Sequence, residues 1–294
     1  MRNIAGLFTI VLFTLLLSAC QSASSVSAGK QMNNLLLAEP APINTRSEFA
    51  IARYNMILSN ENTLNDDDRA ELHFHRGMHY DSVGLSGLAQ FDFSQALKLK
   101  PDMAAAYNSI GVHFTQSEEF LQAYEAFDST LDIDPNYEYA FLNRGIALYY
   151  GDRAELAVSD LKRFYQYNQE DPFRALWAYF ALNSVSSEEG LTFLMTSRKQ
   201  IAQQHWAATL VDVFLGKANE YDVLNALTDG VTTQKELTDR LCEAYFYLGK
   251  YHALHNEGGV ASNYFKLALS TNVFDYVEHR YARLELNRVR ESVD

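Results

Sequence analysis

The apolar positions between residues 70 and 171 follow helical spacing, and the whole pattern then repeats. Gly77, Gly111 and Gly145 stand at one interval of about 34 residues, and Ala89, Ala123 and Ala157 keep it. Phe93, Phe127 and Leu161 fall in the same register, as do Pro101 and Pro135. Four independent sets of positions predict tandem units of two helices each, at 70–103, 104–137 and 138–171. A glycine in mid-helix costs about 1 kcal/mol against alanine, so its recurrence predicts a close approach by the partner helix. The alanines are the small residues of the second helix, and Phe93, Phe127 and Leu161 fill the space between. Pro101 and Pro135 end one unit and start the next. In the third unit the proline comes late, at Pro172, which predicts an inserted turn and a changed superhelix pitch.

The flanks continue the helical reading. Ser47 to Leu58 reads as a helix capped by Ser47, with Ile51, Tyr54 and Leu58 on one face. It either caps the end of the array or contacts a second subunit. Asn65-Asp66-Asp67-Asp68 places caps and negative charge at the next helix start. Asp171-Pro172, Ser186-x-x-Glu189 and Thr233-x-x-Glu236 are further start signals, and Trp206, Leu210, Val213 and Phe214 form a stripe ended by Gly216. A fourth unit reappears at 242–275, with Tyr245, Leu248, Gly249, Ala261, Phe265 and Ala268 in matching slots. Val277, Tyr281 and Leu284 predict a closing helix. Its other face carries His279, Arg280, Arg283, Arg288 and Arg290, either as a solvated cap or as a partner or lipid-headgroup contact. The interval is that of the tetratricopeptide repeat. The expected fold class is all-α: a tetratricopeptide-repeat solenoid with additional non-consensus helix pairs and a C-terminal capping helix over 47–290. Such solenoids usually hold other proteins.

The first residues carry a different signal. Arg2 precedes the apolar run Ile4–Leu17, which is too short to span a bilayer and ends in Leu17-Ser18-Ala19-Cys20. Residues 1–19 therefore read as a signal peptide. The four residues ending at Cys20 resemble the bacterial lipobox, which implies lipidation of Cys20 (palmitate among the acyl chains) and firm membrane anchoring. Gln21 in place of aspartate implies the outer membrane. Residues 20–46 read as a flexible tether, with Leu35–Leu37 adding a docking turn, and 291–294 as a tail. The formal charge of -13 loses Arg2 with the signal peptide and moves to about -14, a surface that disfavours nucleic acid. Cys242 then remains as the single thiol, buried or reactive.

Candidate chemistry is sparse. His73, His75 and His79 cluster, but only His75 and His79 share a helix face and no cysteine completes a zinc set. No G-x-S-x-G elbow, phosphate loop or H-E-x-x-H is present, so neither enzyme nor cofactor is expected. The candidate site is the inner face made by the first helix of each unit. Its predicted protein-binding groove comprises Phe74, Met78, Asn108, Val112, Tyr139, Leu142, Ile146, Tyr149 and Tyr150. This is an apolar, aromatic surface with an acidic entrance, suited to an extended or helical segment with apolar anchors. The alternative is that some of these tyrosines pack between helices.

The stretches FDFSQAL (91–97), AYEAFDS (123–129), LNRGIALYYG (142–151), DPFRALW (171–177), YFYLGKY (245–251) and VEHRYARLEL (277–286) resemble the NlpI lipoprotein family of Gram-negative bacteria. The resemblance covers about residues 47–287. It implies a homodimeric, periplasm-facing outer-membrane adaptor that docks a tail-specific protease and brings to it a murein DD-endopeptidase. It also implies scaffolding of other peptidoglycan enzymes, and so a role in wall growth and division. A structural envelope-assembly factor, serving outer-membrane protein insertion or lipid transport, is the other function class. No catalytic residue carries over.

Overall fold

The computed structural model describes residues 36–37, 39–60 and 64–291. The signal segment, Cys20 and most of the tether lie outside the described residues. Among the described residues there are 14 α-helices and no strand. They are α1 (Thr45–Leu58), α2 (Asp66–Ser82), α3 (Ser86–Leu99), α4 (Ala104–Gln116), α5 (Phe120–Ile133), α6 (Glu138–Tyr150) and α7 (Ala154–Tyr167). There follow α8 (Pro172–Val185), α9 (Ser187–Ser197), α10 (Ala208–Phe214), α11 (Glu220–Ala226), α12 (Gln234–Leu254), α13 (Gly258–Ser270) and α14 (Val277–Glu291). Helices pair in chain order, α2 with α3, α4 with α5, α6 with α7 and α12 with α13, and the first three pairs pack one on the next. This is a tetratricopeptide-type solenoid with extra helices α8–α11 and a closing helix α14. No described helix is long and apolar enough to cross a membrane.

Steric contact explains the glycine register. A Cβ on Gly111 would lie 2.6 Å from the Phe127 ring, and one on Gly249 would lie 2.6 Å from the Phe265 ring. Both rings are fully buried, so the ring occupies the space the missing side chain leaves. A second register holds charge. Arg76 clamps Asp92 with Nε and a terminal nitrogen at 2.6 Å, and Arg144 clamps Asp160 at 2.7 and 2.9 Å. The second unit puts Ile110 and Ala126 in those slots, and both are buried in an apolar cluster. Each clamp crosses from first to second helix, so it fixes the pair as the ring contact does.

The turn inside each unit has its own register. Gly84, Glu118, Asp152 and Asn256 all adopt positive φ, between 55 and 80°. The next residue donates its N–H to a carbonyl five residues back, at 2.8–2.9 Å. This is the left-handed cap that reverses the chain between paired helices. Only Gly84 is a glycine.

Several local expectations are corrected. The cap of α1 is Asn44, whose Oδ1 accepts from the Ser47 N–H at 3.2 Å; Ser47 itself is buried against His79 and Ser82. The first helix of the fourth unit begins at Gln234, not at 242, because Thr233 caps one unbroken 21-residue helix. Helix α11 was not foreseen; Asn219 and Asp222 form its capping box. The end of the tether is fastened rather than loose. Tyr245 OH donates to the Leu36 carbonyl, Thr238 Oγ1 donates to Glu39 O at 3.1 Å, and Ala41 N–H donates to Thr271 O at 2.7 Å.

Candidate functional site

The inner face is built by α2, α4 and α6, and its occupant is α14. Asp81 at the end of α2 takes Arg280 at 3.3 Å and His113 at 3.1 Å. Gln116 at the end of α4 donates to the Arg280 carbonyl at 3.1 Å. At the end of α6, Tyr150 OH donates to Glu285 at 2.7 Å, and Arg288 donates back to the Tyr150 carbonyl. Tyr281 packs its ring on Tyr150 and Trp177, with centroids 5.8 and 6.3 Å apart. The basic residues expected as a solvated cap or as a partner or headgroup contact divide accordingly. Arg283 and Arg290 are exposed, His279 is buried, and Arg280 and Arg288 bind the solenoid.

A buried ion pair locks this seat. Lys250 of α12 meets the Glu285 carboxylate, with side-chain exposures of 4% and 6%. The same Nζ donates to Tyr149 OH at 2.9 Å and stands 4.6 and 4.9 Å from the Tyr149 and Phe180 ring centroids. Burial alone would lower the Lys250 pKa, but Glu285 and Tyr149 together raise it, so the ammonium stays charged. Burial, then Glu285, pushes the Tyr150 phenol well up, so it serves as a donor.

The predicted groove residues therefore divide. Ile146 and Tyr150 are fully buried and Val112 and Leu142 nearly so, which corrects their reading as ligand-facing. Tyr150 is spent on α14. Asn108 is buried and accepts from Asn143 at 3.0 Å across to the next unit. Phe74 packs on Phe93, and Tyr149 holds Lys250. Met78 and Tyr139 stay open, 43% and 55% exposed. Tyr139 and Leu142 also line a cavity of about 230 Å³ between α6, α8, α12 and the start of α14. The three histidines serve different neighbours: His73 pairs with Asp92 at 2.8 Å, His75 with Glu71 at 4.0 Å, and His79 with Ser47 at 3.1 Å. No group of His, Cys, Asp or Glu among the described residues is arranged to hold a metal. Cys242 is fully buried, and burial pushes its thiol well up, so this is a small apolar filler.

Sequence reasoning missed the Lys250–Glu285 pair and the acidic lining of the cavity. Both join residues from different helices, and helical periodicity carries no signal for either.

The fold and this face define a helical-repeat scaffold of the tetratricopeptide type. No protein-family model matches the chain. It is similar to a tetratricopeptide repeat protein from Parabacteroides merdae, at 15% identity over 84% of this chain and 99% of that one, TM-score 0.49. It is also similar to YrrB, described as a tetratricopeptide protein with an unusual peptide-binding site, at 18% identity over 64% and 91%, TM-score 0.45. PilF of Pseudomonas aeruginosa superposes at 17% identity over 75% and 99%, TM-score 0.43. These superpositions are too loose to carry an argument, and the fold assignment rests on the repeat geometry itself.

Proposed function

We propose that this chain is a lipid-anchored periplasmic adaptor of the NlpI type. It holds a tail-specific protease together with peptidoglycan hydrolases, a murein DD-endopeptidase among them. The observation that carries a binding role is the open half of the inner face, where Met78 and Tyr139 remain exposed beside a seated α14. The lipobox-like segment at Cys20 supports the outer-membrane location, and the six matched stretches support the particular partners. Helix α1 supports a dimer: Phe49 and Met56 are 78% and 70% exposed on a helix that otherwise packs on α2.

Crosslinking in intact cells, followed by mass spectrometry, tests the partners. Recovery of a protease and an endopeptidase is expected. Recovery of a barrel-assembly or lipid-transport component in their place would instead favour an envelope-assembly role. Light scattering at micromolar concentration tests the dimer, and a strict monomer overturns it.

A further inference from the structure

The cavity beside Tyr139 has a composition the rest of the inner face lacks. Its walls are aromatic: Phe173 and Trp177 of α8, Phe164 of α7, Tyr139 of α6 and Tyr276 before α14. Four carboxylates, Asp171, Glu243, Asp275 and Glu278, share it with one guanidinium, that of Arg174. Arg174 is already committed: it binds Glu138, stands 3.5 Å from Asp171 and stacks 4.0 Å from the Phe164 ring centroid. Glu278 is hydrogen-bonded by Tyr247 OH at 2.9 Å. Glu243 is half-buried; among the described residues its carboxylate has neither a hydrogen bond nor an ion pair, and the neighbouring Arg240 is tied to Glu236.

An unpaired carboxylate among aromatic walls is disfavoured in its charged form, and it either takes up a proton or meets a cation. Burial and mutual repulsion push Glu243 well up, and burial pushes Glu278 up to about 7. Aromatic faces attract cations that keep little hydration, which favours an organic ammonium or guanidinium over a small metal ion. The residues do not converge as metal ligands do. At about 230 Å³ the space is smaller than the roughly 300–1,000 Å³ of a small-molecule site and suits one long side chain.

We propose that this cavity receives a lysine or arginine side chain of the polypeptide that the solenoid holds. The proposal rests on the adaptor reading and adds its chemistry: apolar anchors lie along the open inner face, and one basic residue enters beside Glu243.

The chain has two tryptophans, so Trp206→Phe leaves Trp177 in the cavity wall as the sole reporter. The full chain carrying this change is titrated with blocked Ala-Arg-Ala and Ala-Lys-Ala peptides and with Ala-norleucine-Ala as the neutral control. Calorimetry on the unchanged chain repeats the measurement free of the substitution. The expected result is a saturable change in Trp177 emission at millimolar basic peptide, none with norleucine, and about tenfold weaker binding in Glu243→Gln. An equal response to norleucine, no response to either basic peptide, or unchanged affinity in Glu243→Gln overturns the proposal. So does the same emission change with calcium or magnesium alone. Crosslinking of the unchanged chain in cells separates the two readings. Protease and hydrolase recovered without peptide binding sinks the cavity and keeps the adaptor; peptide binding without them does the reverse.

Discussion

Replacing Lys250 with methionine isolates the force that seats α14. The side chain keeps its length, so packing against Tyr149 and Phe180 changes little, but the charge opposite Glu285 is lost. The exposures of 4% and 6% decide which magnitude applies. An exposed pair would be worth about 0–1 kcal/mol, whereas removing one partner of a buried pair costs roughly 3–5 kcal/mol. Glu285 keeps only the Tyr150 hydroxyl at 2.7 Å, and the Tyr149 hydroxyl loses its donor. We expect Lys250→Met to lose about 3–4 kcal/mol of an unfolding free energy on the order of 5–15 kcal/mol. The double variant Lys250→Met/Glu285→Gln should recover about 2 kcal/mol or more, because the amide keeps the Tyr150 hydrogen bond without a buried charge. Urea unfolding followed by tryptophan emission reads both, and hydrogen exchange should show the α14 amides losing protection first. A single variant within about 1 kcal/mol of the parent, or a double variant no better than the single, would refute the buried-pair account.

Three further substitutions test other parts of the construction. Gly111→Ala should destabilise by about 1–3 kcal/mol despite its better helix propensity, since its Cβ falls 2.6 Å from the buried Phe127 ring, while Gly87→Ala, with nothing within 4 Å, should be neutral or stabilising in the same melting assay. Asp152→Gly should stabilise by about 0.5–1 kcal/mol in urea unfolding, because an exposed side chain at φ 57° is strained where glycine is not. Glu278 is raised from 4.5 to about 7 in the folded protein, so the folded state binds the extra proton across that window and stability falls as pH rises through it. The loss should total about 3 kcal/mol, and Glu278→Gln should show a flatter melting profile between pH 4.5 and 7.5.

The repeat core was legible because its signals are local and steric. A glycine faces a ring sixteen residues later in the same helix pair, and such a contact leaves its residue types in the sequence at fixed spacing. The start signals at Asn65, Asp171, Ser186 and Thr233 were legible for the same reason: each side chain accepts from an N–H two or three residues on. The turn register at 84, 118, 152 and 256 was hidden, since three of its four members bear side chains that pay a conformational cost there. The seat of α14 was hidden for a different reason. Its apolar stripe tells which face is covered, not by what. Arg280, Glu285 and Arg288 look like ordinary surface charge until Asp81, Lys250 and Glu118 stand opposite them.

The seat of α14 also constrains what the inner face can recognise. The aromatic centre of that face, at Tyr150, is closed by the chain's own helix, so the apolar anchor expected there is unavailable to a partner. What stays open is its margin, at Met78 and Tyr139, and the cavity that Tyr139 borders. The two acidic centres near α14 then differ in one decisive respect. Glu285 has Lys250 in direct contact, while Glu243 has no ion-pair partner among the described residues and stands in a cavity that opens beside Tyr139. A chain with a formal charge of -13 attracts basic segments over distance, more strongly at low salt, but attraction alone does not place a residue. Placement needs an unpaired acceptor with aromatic walls, and Glu243 offers that combination. A partner bound here should therefore lose affinity with salt through the whole surface and lose register through this one carboxylate.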